Sequence, residues 1–172
     1  MTRLGSNSPP VLGVDFGNVI VRPGLKAGES MFSAAYLYAP PSDDCFDILG
    51  LLNGSRRFDG RVYVVSKAGE RIERRTREWM EHHDFYARTG IPADRLHFVR
   101  SIEEKPDTCR ELGITDFVDD RLEVLELMPW MVGRYLYCPT RPEHLPRRIT
   151  WVATWRELNS RLARVTDRKS VV

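Results

Sequence analysis

Short runs of strand-forming apolar residues recur along the chain at VLGVD (11–15), VYVVS (62–66), LHFV (96–99), DFVDD (116–120) and RYLYC (134–138), and helix-compatible stretches separate most of them. A parallel strand pair needs a crossover of about a dozen residues, which a helix supplies, and the helices then cover both faces of the sheet. The alternation predicts an α/β fold, a three-layer Rossmann-like sandwich around a central parallel sheet.

The intervening segments carry helix signals. Ser42 or Asp43 is positioned to cap a helix bearing Phe46, Leu49 and Leu52 that ends near Asn53–Gly54. Residues 70–89 read as one long helix closing on Gly90, 105–113 as a short one ending at Gly113, and 154–162 as a terminal helix capped by Thr154. At 172 residues the chain has the length of one ordinary domain. The expected division is a flexible N-terminus at 1–10, a single domain over 11–165 and a flexible tail at 166–172.

Composition narrows the function classes. Apolar residues make up 42% and charged residues 29%, near globular averages. No apolar run approaches the roughly 20 residues that span a bilayer, and MTRLGSNSPP lacks a signal-peptide core, so a cytoplasmic protein without membrane contact is expected. Cys45, Cys109 and Cys138 include no Cys-x-x-Cys pair and read as free, mostly buried thiols. A net charge of +2 does not call for nucleic acid. Arg71, Arg74, Arg75 and Arg77 alternate with Glu70, Glu73, Glu78 and Glu81, which predicts a solvated helix face rather than a nucleic-acid surface. His82 and His83 are adjacent, point to different sides of a helix, and cannot chelate one metal as an i,i+4 pair would. Trp130, Trp151 and Trp155 are expected in core and C-terminal packing.

The polar residues at the strand ends are the informative ones. Asp15 ends the first strand, Ser66 the second, Lys105 opens the helix after the third, and Asp119–Asp120 end the fourth. Ligands of open parallel sheets bind outside the carboxyl ends of the strands, so these segments deliver an acid, a hydroxyl, an ammonium and an acid pair to one edge. Carboxylates from two strands suit Mg²⁺, a hard cation that prefers oxygen ligands. Ser66, Lys67, Asn18, Lys105 and backbone N–H groups near Gly17 suit phosphate oxygens.

This order of motifs resembles the haloacid dehalogenase superfamily of phosphohydrolases, over residues 11–128. The family's first motif, Asp-x-Asp-x-Thr/Val after an apolar strand, stands here as Asp15-Phe16-Gly17-Asn18-Val19; the others are Ser66 in VYVVS, Lys105 in EEKPD, and Asp119–Asp120 in FVDD. GITDFVDDRLEVL is similar to the matching segment of deoxyribonucleotidase-like members. The resemblance implies a phosphatase with Asp15 as nucleophile, Ser66 and Lys105 on the phosphate, and Mg²⁺ held by Asp15, the Gly17 carbonyl, Asp119 and Asp120.

Two departures qualify it. Gly17 occupies the place of the second motif-one Asp, the general acid and base, whose loss typically costs about 10²–10⁴-fold in rate. The expected alternatives are thus an enzyme favouring leaving groups of low pKa, or a catalytically impaired phosphate-binding or regulatory domain. The interval between Asp15 and Ser66 also leaves room only for a small cap insertion at 22–42. An open site would admit a small-molecule or polymeric phosphorylated substrate, or be covered by a second copy of the chain. A receiver domain would put its acid pair on the first strand, and a dinucleotide-binding domain would need Gly-x-Gly-x-x-Gly there; DFGNVIVRPG is neither.

Overall fold

The apolar runs pair into one sheet. The computed structural model describes residues 8–24 and 30–167, with side chains as far as residue 163. Strands β1 (Leu12–Val14), β2 (Val62–Lys67), β3 (Leu96–Val99), β4 (Asp116–Asp119), β5 (Gly133–Tyr137) and β6 (Thr150–Val152) lie in the order β3-β2-β1-β4-β5-β6. All neighbours are parallel, with Val14 opposite Val64 on one side and Val118 on the other.

Successive strand residues point to opposite faces, so each strand feeds two cores. Leu12, Val14, Val62, Val64 and Val118 face a cluster built with Phe46 and Leu49 of α1 (Cys45–Asn53), Trp79 of α2 (Glu70–His82), Phe85 of α3 (Phe85–Thr89) and Trp155 of α6 (Trp155–Asp167). Val65, Phe117 and Leu136 face the other, with Cys109 of α4 (Lys105–Glu111) and Val124 and Leu125 of α5 (Leu122–Glu126). The chain runs outward from β1 through β2 to β3, then returns to the far side of β1 for β4. Crossovers of one hand place the helices of the two halves on opposite faces, and the reversal opens a crevice at the carboxyl ends of β1 and β4.

Several local expectations need correction. Residues 70–89 are two helices: Asp84, at φ 55°, ends the run after His83 and starts α3. Neither Ser42 nor Asp43 caps α1; the residue before it is Asp44, at φ 61°, with no side-chain cap. Thr154 does cap α6, accepting the Glu157 N–H at 3.1 Å while the Glu157 carboxylate accepts the Ala153 N–H at 2.8 Å. Trp155 is buried, but Trp130 is 38% exposed, and Arg110 stacks on its ring at 3.7 Å instead of core residues enclosing it. Arg77 pairs with Glu73 as expected of a solvated face, whereas Arg75 turns inward to donate to the Met31 and Ser33 carbonyls. Strand β6 was not expected at all. Cys45 and Cys109 are buried free thiols and Cys138 is partly exposed.

The segment at 22–42 leaves and rejoins the sheet edge through the Arg22 N–H to Pro40 and Ser42 N–H to Ile20 hydrogen bonds, and its described residues form only one 3-10 turn, Tyr36–Tyr38. The flexible termini expected at 1–10 and 166–172 lie, over 1–7 and 168–172, outside the described residues. No described helix is long and apolar enough to cross a membrane.

Candidate functional site: an acid cluster at the sheet edge

Just beyond β1, the Asp15 N–H still donates to the Val118 carbonyl at 2.9 Å, so its side chain is held at the mouth of the crevice. The chain then turns sharply. The N–H groups of Val19, Ile20 and Val21 all donate to the Phe16 carbonyl, and Asn18 adopts φ 60°, a left-handed conformation that asparagine tolerates better than most residues.

Lys105, at the first position of α4, is 2% exposed, and its Nζ donates to Asp15 Oδ1 at 3.0 Å and Asp119 Oδ2 at 2.8 Å. Its ammonium also lies 5.6 Å from the centroid of the Phe117 ring. That ring fits because residue 13 is glycine: a Cβ there would stand 2.6 Å from it. Both Asp119 oxygens are engaged, since Oδ1 accepts the Arg121 N–H at 3.0 Å at the entry to α5. Asp120 is turned toward the crevice, with Oδ2 accepting from Asn18 Nδ2 at 2.9 Å.

Charge is unbalanced here. Carboxylate oxygens of Asp15, Asp119 and Asp120 lie within 4.8 Å of one another, near enough to share one cation. Among the described residues, Lys105 alone forms ion pairs with them. Burial pushes the Asp15 carboxyl up to about 6, the Asp119 charge adds to this, and Lys105 pulls the other way. Burial likewise raises Asp119 and Asp120 despite their hydrogen bonds. Burial disfavours the Lys105 ammonium, but the Asp15 and Asp119 carboxylates outweigh it and raise its pKa.

The cluster opens into a cleft of about 350 Å³ whose walls include Asp15, Gly17, Ser66, Lys67, Lys105 and Asp120. Every sequence-predicted site residue except Asp119 therefore reaches this cleft, and Asp119 lies directly behind it. Ser66 is buried at the end of β2, Lys67 is exposed, and the wall continues to Gly69 at the N-terminus of α2, where first-turn N–H groups have no intrahelical partner. A Cβ on Gly17 would meet no atom within 4 Å. Asn18, expected on phosphate, lines the cleft and donates its amide to Asp120.

Sequence reasoning missed Phe32, Ile72, Ile102, Arg121 and Val124, which complete the walls. Arg121 follows the acid pair directly and was within reach. Phe32, 72% exposed, depends on how 30–42 folds back over the edge, which no local pattern encodes. A scan against protein-family models and a search of curated proteins each return no match.

Proposed function

We propose that the protein is a Mg²⁺-dependent phosphomonoester hydrolase of the haloacid dehalogenase type, with Asp15 as nucleophile. The observation that supports it best is the Lys105 ammonium bridging Asp15 and Asp119 beneath a cleft that also receives Asp120 and Ser66. The donor set fits a hard divalent ion. Asp15, Asp120 and the Gly17 carbonyl would hold it, with Asp119 contributing charge from behind. Bound there, Mg²⁺ would offset phosphate charge and polarise the phosphoryl group.

The chain's own residues would do the rest. Lys105 and Asp119 orient the Asp15 carboxylate and keep one oxygen engaged while the other attacks phosphorus. A bond from an Asp15 carboxylate oxygen to phosphorus forms, giving an acyl phosphate, as the bond to the leaving oxygen breaks, and the leaving group departs as its anion. Ser66, Lys67 and the α2 N-terminus receive the phosphoryl oxygens. Water then attacks the phosphorus, inorganic phosphate leaves, and the Asp15 carboxylate is restored. With Gly17 supplying no proton, acyl, anomeric or aryl phosphates would be favoured over alkyl phosphates. A rate that does not vary with leaving-group pKa overturns this preference.

The deciding test is phosphate release from a broad panel with and without Mg²⁺. Activity that requires Mg²⁺ and vanishes in Asp15→Asn is expected; wild-type protein inert on every member sinks the proposal. The open space at Gly17 also favours a second reading, a phosphate-binding or regulatory domain that has lost its acid. On that reading wild type binds Mg²⁺ and phosphate without turnover, and Gly17→Asp gains it.

A further inference from the structure

A second cleft lies at the same edge of the sheet. It measures about 390 Å³ and is walled by Asn18, Arg22, Tyr137, Pro139, Ala153 and Arg156. Tyr137 closes β5 and Ala153 follows β6, so this cleft also stands outside strand carboxyl ends. Asn18 is common to both clefts, and its amide is fixed on Asp120. One anchored side chain therefore lines both.

The walls differ in character. The first cleft gathers carboxylates and ammonium groups against Phe32, Ile72, Ile102 and Val124. The second presents Tyr137, Pro139, Pro23 and Ala153 beside two guanidinium groups, Arg22 and Arg156, and the carboxylates of Asp43 and Asp44. Those guanidinium groups are already engaged, Arg22 with Asp43 and Arg156 with Asp44 at 2.8 Å, so they do not make the cleft an anion site. Their planar faces and the aromatic wall suit a flat ring. Tyr137 is held for this against Trp155, whose ring centre lies 6.0 Å away.

Resting on the phosphatase reading, we infer that the second cleft is the subsite for the substrate's alcohol part, and that this part is an aromatic or heteroaromatic ring. A phosphate seated at Asp15 would extend past Asn18 to place its ring against Tyr137 and Ala153. The main rival is Phe32, the exposed aromatic in the wall of the first cleft.

Calorimetric binding in the Asp15→Asn variant, with Mg²⁺, compares 1-naphthyl phosphate with inorganic phosphate. A preference of about tenfold or more for the naphthyl ester is expected, corresponding to one ring removed from water. It should fall toward parity in Ala153→Phe, which fills the cleft, and in Tyr137→Leu, which removes the ring but keeps an apolar strand residue; Phe32→Ala should retain it. Equal affinity for the two ligands, or a preference that survives Ala153→Phe or disappears in Phe32→Ala, overturns the subsite while leaving the phosphate site standing. Failure of both ligands to bind Asp15→Asn, together with wild-type protein that neither binds inorganic phosphate nor hydrolyses the naphthyl ester with Mg²⁺, overturns the phosphatase reading, and the subsite with it.

Discussion

Strand β4 begins and ends on a buried aspartate, and the two ends behave differently. At its start, Asp116 is 1% exposed, accepts from Thr115 Oγ1 at 2.7 Å and pairs with Arg57 at 3.4 Å. Arg57 is also tied to the Leu162 carbonyl of α6, so one acid and one base fasten a helix to the sheet. At its end, Asp119 belongs to a group of three carboxylates that share one lysine and border a cleft. The buried charge at the start of β4 is matched by one cation, whereas at the other edge three carboxylates share one lysine among the described residues. That surplus separates the two edges by chemistry rather than by burial.

The largest effect should come from removing the cation at each edge. Breaking a buried pair by deleting one partner typically costs about 3–5 kcal/mol. Lys105→Met is expected to lose about that much in urea unfolding, since Asp15 and Asp119 both lose their partner, with Arg57→Met somewhat less affected because its contact is longer. Millimolar Mg²⁺ should then restore much of the loss in Lys105→Met and none in Arg57→Met. Equal rescue of both, or of neither, erases the distinction drawn between the edges.

Next in size is the titration of Asp15. Its carboxyl is raised from 3.8 to about 6 in the folded protein. Between those values the folded chain holds a proton that the unfolded chain has released, so stability falls as pH rises through the window and the full penalty stands above pH 6. A shift of about two pKa units corresponds to about 3 kcal/mol. In Mg²⁺-free buffer Asp15→Asn should therefore be more stable than wild type above pH 6, by up to about that amount, with the advantage fading toward pH 4. A variant less stable than wild type at neutral pH would mean that Asp15 is a structural acid like Asp116.

The edge of the proposed site was more legible in the sequence than the structural one. Asp15, Ser66, Lys105 and Asp119–Asp120 each end or follow an apolar run, and strand direction alone brings them together. The Arg57–Asp116 pair joins residues far apart in sequence, neither of which stands in a motif. Likewise, whether Asp119 or Asp120 faces the cleft depends on strand pleat and on the Asn18 turn, below the resolution of a motif. Strand β6 escaped notice because TWV is short, half-buried and at the sheet edge, so it lacks a continuous apolar run. The break in 70–89 rests on Asp84 entering the left-handed region, while helical spacing of Trp79, Met80, Phe85 and Tyr86 continues across it.

Each edge also depends on a glycine that leaves room for its neighbour, and this gives the smallest of the expected effects. A Cβ on Gly133 would come within 2.3 Å of Asp116 Oδ1, and one on Gly13 within 2.6 Å of the Phe117 ring. Overpacking of this kind typically costs about 1–3 kcal/mol, so both alanine variants should lose similar stability. Their consequences for chemistry should diverge. Gly133→Ala strains the Arg57–Asp116 fastening and leaves the distant cleft alone, so phosphate release should keep its wild-type rate. Gly13→Ala pushes Phe117 out from beneath the Lys105 ammonium, and the displaced lysine can no longer hold Asp15 and Asp119 together. Turnover should fall well beyond what the lost stability explains. Equal turnover in two equally destabilised variants would show that Phe117 packs the sheet without positioning Lys105, leaving the carboxylates themselves as what orients the lysine.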